Sequence, residues 1–346
     1  MNFPIITDPD RIAEKKAAER QDSLTKPRGS MGQLEALSIV IAGMTGSVTP
    51  DLTNRTVFLM AADHGIAREG VSPYPSEVTA QMVMNFLNHG AAINQLAEQA
   101  HSEVKIIDIG VNYDFPKLPG LINRKVARGT KNMLKEPAMS VQQAEAAIQT
   151  GMDLLNEAAD NGLKLAATGE MGIGNTTAAS AITAVLCGKT TAEVTGRGTG
   201  LDDEGLQKKI RIIDQVLQNR CPDPNDPMDI LCKVGGLEIA GMAGVTIAAA
   251  SRRIPLVMDG LISTAAAALA DALVPGVRNY LIAGHRSPEA GHRWLLEKLG
   301  KKPLLQLDMR VGEGTGAALA FNLIDAAENI ISRMATFESA GISDKE

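Results

Sequence analysis

The chain has 346 residues, 45% of them apolar and 21% charged, with a formal net charge of -6. That length exceeds what a single core commonly fills, so one large domain with an attached lobe, or two domains, is expected. The acidic, otherwise ordinary composition argues against nucleic acid or an acidic membrane as partner. It holds no charge-free apolar stretch of about 18 residues that would suggest a membrane span. The three cysteines, Cys187, Cys221 and Cys232, form no disulfide framework or CxxC pair. A reducing, cytoplasmic compartment is therefore expected. The first residues lack the basic start and apolar run of a signal peptide.

Asp8 and Pro9 read as an N-cap and first-turn proline for an opening helix that fails by "TKPRG" at 25–29. Ser30 and Gln33 then form a capping-box pattern ahead of "LEALSIVIAGM". Beyond this helical segment the pattern changes to short apolar runs closed by glycine with an acid or histidine. These runs occupy 56–65, 104–111, 163–170, 255–260, 279–285 and 304–314. Helical stretches separate them, among them "SVQQAEAAIQTGMDLLNEAAD", with a capping box at Ser140 and Gln143, and "SPEAGHRWLLEKLG". A last helix is expected from near Gly314 to about Glu338, followed by a frayed tail at 339–346.

Buried strands alternating with helices predict an α/β fold: a mainly parallel, Rossmann-like sheet flanked by helices. Residues 51–314 would form this α/β domain, and 1–50 with 315–346 a smaller helical lobe. Sites in such sheets form at the carboxyl ends of the strands. Here those ends hold Asp63 and His64, Asp108, Glu170, Asp259, His285 and Glu313.

Two loops carry the chemistry. In "GEMGIGNTTAAS" (169–180) a strand runs through glycines into a helix starting at Asn175, Thr176 and Thr177. Backbone N–H groups and the helix dipole make that start an anion site. Gly172 and Gly174 would admit a phosphate, and Glu170 would accept from ribose hydroxyls. No Gly-Lys-Ser/Thr ends the loop, so it is not a Walker loop. In "RVGEGTGAALAF" (310–321) three glycines bracket Glu313. A dinucleotide fingerprint is opposed by that negative charge and by the absence of a following strand with its acidic residue. A glutamate wrapped in glycines at the end of a buried strand could instead raise its pKa and accept a proton. Either Lys208 or Lys209, on the helix after "GLDDEG", could meet a phosphate. The five histidines show no metal-ligand spacing. A nicotinamide-dependent dehydrogenase lacks its fingerprint; a non-catalytic nucleotide sensor would need only the 169–177 loop.

Six stretches taken together, "KPRGSMGQLE", "AADHGI", "GEMGIGNTT", "KVGGLEIAGM", "MDGLIS" and "RVGEGTGAALA", resemble the nicotinate-nucleotide:dimethylbenzimidazole phosphoribosyltransferase family. They occur in order over essentially the whole chain. The resemblance implies transfer of phosphoribose from nicotinate mononucleotide to an azole nitrogen, with inversion, release of nicotinate and formation of an α-linked ribotide used as cobamide lower ligand. It implies Glu313 as the catalytic base. Ribose and phosphate would be held by Glu170, Gly172, Asn175, Thr176 and Lys209, with Arg310, Gly312 and Gly314 beside them and Asp259 in the same substrate pocket. Tyr74, Gln81 and Met82 would line the pocket for a benzimidazole-type base. No metal or organic cofactor is implied, and the family's homodimers cap one protomer's site with the partner's helical lobe.

Overall fold

A computed structural model of the chain describes residues 1–343. At its centre are β1 (Arg55–Ala62), β2 (Glu103–Gly110), β3 (Leu121–Asn123), β4 (Leu165–Met171), β5 (Leu256–Met258) and β6 (Leu281–Ala283). Every pairing is parallel, in the order β3-β2-β1-β4-β5-β6. The sheet is thus wound outward in both directions from β1 and β4, and a crevice opens where the order reverses. All eight residues of β1 are buried, as expected of a strand that is apolar from Val57 onward and lies between two helical layers.

Helices α1 (Arg11–Ser23) and α2 (Gln33–Thr45) precede β1, and α3 (Glu77–Leu87) and α4 (Ala92–Gln99) connect it to β2. Helix α5 (Val141–Asp160) leads to β4. Between β4 and β5 come α6 (Asn175–Cys187), α7 (Thr191–Val194), α8 (Asp203–Arg220), α9 (Pro227–Val234) and α10 (Leu237–Ser251). Helix α11 (Leu261–Leu273) joins β5 to β6, and α12 (His292–Leu299), α13 (Thr315–Arg333) and α14 (Phe337–Ala340) follow. The plentiful small residues serve close packing. A Cβ built on Gly151 of α5 would lie 1.9 Å from the Gly241 carbonyl oxygen of α10, and every residue of α10 from Leu237 to Ala250 is buried. Helices α1, α2 and α13 share a small separate apolar cluster of Ala13, Ala17, Ala42 and Ile331. Among the described residues no helix is long and apolar enough to cross a membrane.

Several sequence expectations need correction. The segment 304–314 is not a strand: it makes one isolated bridge, Leu305 to His285, and Leu307 and Val311 are exposed. Asp308 takes a left-handed φ of 54°, which ends any extended run. The three-residue β3 was too short and too exposed to read from sequence. Asp10, not Asp8, caps α1, accepting from Ile12 and Ala13 N–H at 2.9 and 3.0 Å. The Ser30 box does not form; left-handed Gly32 occupies the N-cap, and Glu35 accepts instead from Met31 and Gly29 N–H. The Ser140–Gln143 box forms as expected. The last long helix stops at Arg333, and Ser339 and Ala340 lie in α14. Residues 344–346 of the expected frayed tail lie outside the described residues.

Candidate active site

The carboxyl ends of β4 and β5 and the segment after β6 enclose a cavity whose wall carries Glu170, Gly172, Asn175, Thr176, Asp259, Arg310 and Gly312. Seven side chains or backbone positions predicted from two separate loops and a strand end therefore meet at one place. Helix α6 opens on left-handed Gly174 with no side-chain cap, and its first residues Asn175 and Thr176 line the cavity. Lys209 reaches the helix start from α8, whose own start is capped by Asp202. The Lys209 Nζ donates to Thr176 Oγ1 at 2.8 Å, and the residue is fully buried. Burial pulls its pKa down to about 8, against a small opposing effect of Glu289. Lys208, its neighbour on α8, is exposed. Ser287 and Glu289 also line the cavity and were missed, because they follow β6 in a segment without a glycine signature. Gly172 has a packing role as well: a Cβ there would lie 2.3 Å from the Ala62 carbonyl oxygen, so a larger residue would disturb the end of β1 rather than test phosphate binding cleanly.

Glu170, 6% exposed, accepts from the Asn175 side-chain amide. Its pKa is pushed up to about 8, first by burial and then by the charges of Glu238 and Asp259. Glu238 is itself buried against His64, 2.6 Å away, beneath the glycine loop. At neutral pH Glu170 is thus a carboxylic acid, able to donate as well as accept. A carboxyl whose pKa is higher folded than unfolded stabilises fully below about pH 4, and that contribution is lost as pH rises through about 8. Glu170→Gln keeps the neutral shape, so its Tm should gain several degrees on the wild type between pH 5 and 8. Thermal unfolding across that range checks this; a pH-independent difference would refute it.

Glu313 is not on a surface turn; it is 7% exposed. It and its neighbours Gly312 and Gly314 have φ values of 64°, 81° and 89°, three successive left-handed residues. Such a conformation is costly for a glutamate and is found where surrounding structure enforces it. The glycines explain how. A Cβ on Gly312 would lie 2.3 Å from Glu170 Oε1, and one on Gly169 of β4 the same distance from the Glu313 carbonyl oxygen. The loop is pressed between β4 and Asp259. The Glu313 carboxylate turns to α4, accepting from Ile93 N–H at 3.3 Å, and is not on the cavity wall. Burial raises its pKa, the Ile93 N–H opposes, and the charge of Asp259 adds to the rise. Asp259 lines the cavity, yet both its oxygens are engaged by the first turn of α13: Oδ1 with Gly316 and Ala317 N–H at 2.7 and 3.2 Å, Oδ2 with Gly314 N–H at 3.3 Å. Asp108 is a structural acid, paired with Lys125 at 3.0 Å.

A second cavity of about 430 Å³ lies against α3. Ser76, Ala80, Gln81 and Met84 line it, with Tyr113 and Asp63 opposite. Thr79 on the same helix accepts from Ile173 N–H of the glycine loop at 3.1 Å, so α3 joins the two cavities. Tyr74 and Met82 are not brought to this wall: Tyr74 is 52% exposed, and Met82 packs on the core. Glu77, Ala80, Gln81 and Met84 follow the i, i+3, i+4, i+7 pattern of one helix face. That periodicity, counted from Gln81, would have found Met84 in place of Met82. Among the described residues no group of three His, Cys, Asp or Glu side chains is placed to hold a metal ion.

A family model described as phosphoribosyltransferase matches residues 6–342. The nicotinate-nucleotide–dimethylbenzimidazole phosphoribosyltransferase of Chloroflexus aggregans is 56% identical over 337 residues, 97% of this chain and 96% of that protein. The enzyme of the same name from Roseiflexus sp. (strain RS-1) is 55% identical over 97% of this chain and 95% of its own length. The crystal structure of CobT from Thermus thermophilus superposes with a TM-score of 0.93 at 46% identity, covering 96% of this chain and 100% of that one. Matched end to end, and with both glycine loops meeting beside the switch point of the sheet, the chain belongs to the nicotinate-nucleotide–dimethylbenzimidazole phosphoribosyltransferase family.

Proposed function

We propose that the chain transfers phosphoribose from nicotinate mononucleotide to 5,6-dimethylbenzimidazole or a related azole, releasing nicotinate and forming the α-ribazole phosphate used as cobamide lower ligand. The observation that carries this reading is Lys209, a buried cation just behind the cavity wall that donates to Thr176 at an uncapped helix start, with the buried carboxyl groups of Glu170 and Asp259 on the same wall. Lys209, Thr176, Asn175, Gly172 and Arg310 hold the phosphate. Glu170, with Gly312 and Gly314 shaping the floor, meets the ribose. The azole occupies the α3 cavity, against Gln81 and Met84. An azole nitrogen attacks the anomeric carbon as the bond to the pyridinium nitrogen breaks, and that bonding pair neutralises the pyridinium. Glu313 takes the proton from the other azole nitrogen. Its carboxylate turns from Ile93 to the azole when substrate binds; catalytic hydrogen bonds are commonly long or misaligned in an empty site.

Residues 1–50 and 315–343 are read as a helical cap: α1, α2 and α13 share their own small apolar cluster, while Leu37, Ile41, Ala317 and Phe321 tie α2 and α13 to the main core. The chain acts as a cytoplasmic homodimer in which that lobe covers the partner's site. The test of the reaction is direct: purified protein with nicotinate mononucleotide and an azole should release nicotinate, and no release with any azole would sink it. Ala80, Met84, Tyr113 and Pro116 give the cavity apolar surface for ring methyls, beside the polar Ser76, Gln81 and Asn112 and the acids Asp63 and Glu77. A methyl more or less in such a pocket discriminates about 10 to 200-fold. Dimethylbenzimidazole should therefore beat unsubstituted benzimidazole in direct competition by no more than that range; a far larger preference would contradict the assigned wall.

A further inference from the structure

We propose that Asp259 is a positioning residue, a helix cap supplied from β5 that holds the left-handed turn carrying Glu313 and so aims the base. The inference rests on Glu313 being that base.

Helix α13 begins on Gly314, which has no side chain to cap it. Asp259 supplies the missing acceptor from another element, taking the N–H groups of Gly314, Gly316 and Ala317. A carboxylate at a helix start satisfies orphan donors and complements the dipole. Here it also anchors the residue immediately before the cap, which is Glu313. Asp259 is in turn fixed. Its backbone N–H donates to Ser263 Oγ at 3.1 Å, and Ser263 shares a hydrogen bond of 2.6 Å with Thr168 of β4. The His285 ring lies 3.4 Å from Oδ1 and is packed so closely on α13 that a Cβ on Gly316 would sit 2.0 Å from its Cδ2. The support runs from β4 through α11 and β5 to the turn. With both oxygens occupied and 2% exposure, Asp259 is poorly placed to serve as a hydroxyl acceptor for substrate.

The carboxylate has an electrostatic consequence as well. The charged and titratable groups around Glu313 and Asp259 are Glu170 at the end of β4, the Glu238–His64 pair below it, His285 with His292 behind it, and Arg310 on the same loop. Asp259 raises the pKa of Glu313 and of Glu170. Removing its charge lets Glu313 ionise at lower pH.

The variant Asp259→Asn keeps size but sets an amide donor against helix N–H groups. Its kcat for nicotinate release should fall about 10 to 100-fold, the scale expected for a misplaced catalytic group, with the KM for nicotinate mononucleotide little changed. The acid limb of the kcat/KM profile should move to lower pH. In a Glu313→Gln background the same change should cost no more than about twofold, because it acts through Glu313. Should the asparagine variant not fold, Asp259→Glu keeps the charge and moves the oxygens one methylene further; it should lower kcat and leave the acid limb in place. An unmoved acid limb in Asp259→Asn, fully additive losses in the double variant, or wild-type kcat in Asp259→Glu overturns the proposal. A wild-type protein that releases no nicotinate, or a Glu313→Gln protein at full kcat, overturns the reading beneath it and the proposal with it. Those failures are told apart because they show without any change at Asp259.

Discussion

Glu313→Gln is expected to lower kcat by about 10² to 10⁴, the usual worth of general-base help, while the KM for nicotinate mononucleotide stays close to the wild-type value. The substitution keeps the shape and one oxygen to accept the Ile93 N–H, so the turn between β4 and Asp259 should be retained and Tm little changed. Activity should not vanish, because the neutral azole is itself a nucleophile. The pH profile adds a second readout. Burial and Asp259 raise the pKa of Glu313 in the empty site, so wild-type kcat/KM should fall on the acid side at a pH above the ordinary carboxylate range. That limb should disappear in Glu313→Gln. Full kcat in the variant would make the loop structural and move the base elsewhere.

Lys209→Met should separate binding from stability in opposite directions. The lysine is fully buried, and desolvation lowers its pKa to about 8, so the empty folded protein bears an unfavourable charge. Methionine removes that charge and fills similar space, so Tm should rise at pH 7. The phosphate loses its buried cation, an effect of about 2 to 5 kcal/mol, or roughly 30 to 5,000-fold in affinity. Calorimetric titration with nicotinate mononucleotide measures it, and Lys208→Met, on an exposed side chain, is the control expected to bind normally. The wild type should also bind the nucleotide more weakly as pH rises past about 8, where Lys209 gives up its proton. Undiminished binding by Lys209→Met would remove Lys209 from the phosphate site and with it the main support for the function.

Some of this protein was written locally, and some was not. The sequence alone determined the α/β class, because strands buried on both faces read as unbroken apolar runs such as "TVFLMAA", and 55–62 indeed forms β1. It also determined the glycine turn and helix start of both loops, which are neighbours along the chain, as Gly172 to Thr176 and Gly312 to Thr315 are. It failed where the outcome depended on a partner distant in sequence. The short apolar run at 304–314 looked like a strand, but an edge position and a left-handed Asp308 leave it irregular. Met82 and Met84 differ by two residues, and only the direction in which α3 packs puts Met84 on the cavity and Met82 on the core. The protonation of Glu170 and the role of Asp259 belong wholly to the tertiary structure. Glu170 is held neutral by burial and by charges from α10 and β5; Asp259 caps a helix 55 to 58 residues away. Local pattern encodes secondary structure, whereas pKa and aim depend on which charges and donors the topology brings within a few ångströms, and that is settled only when the sheet closes its crevice.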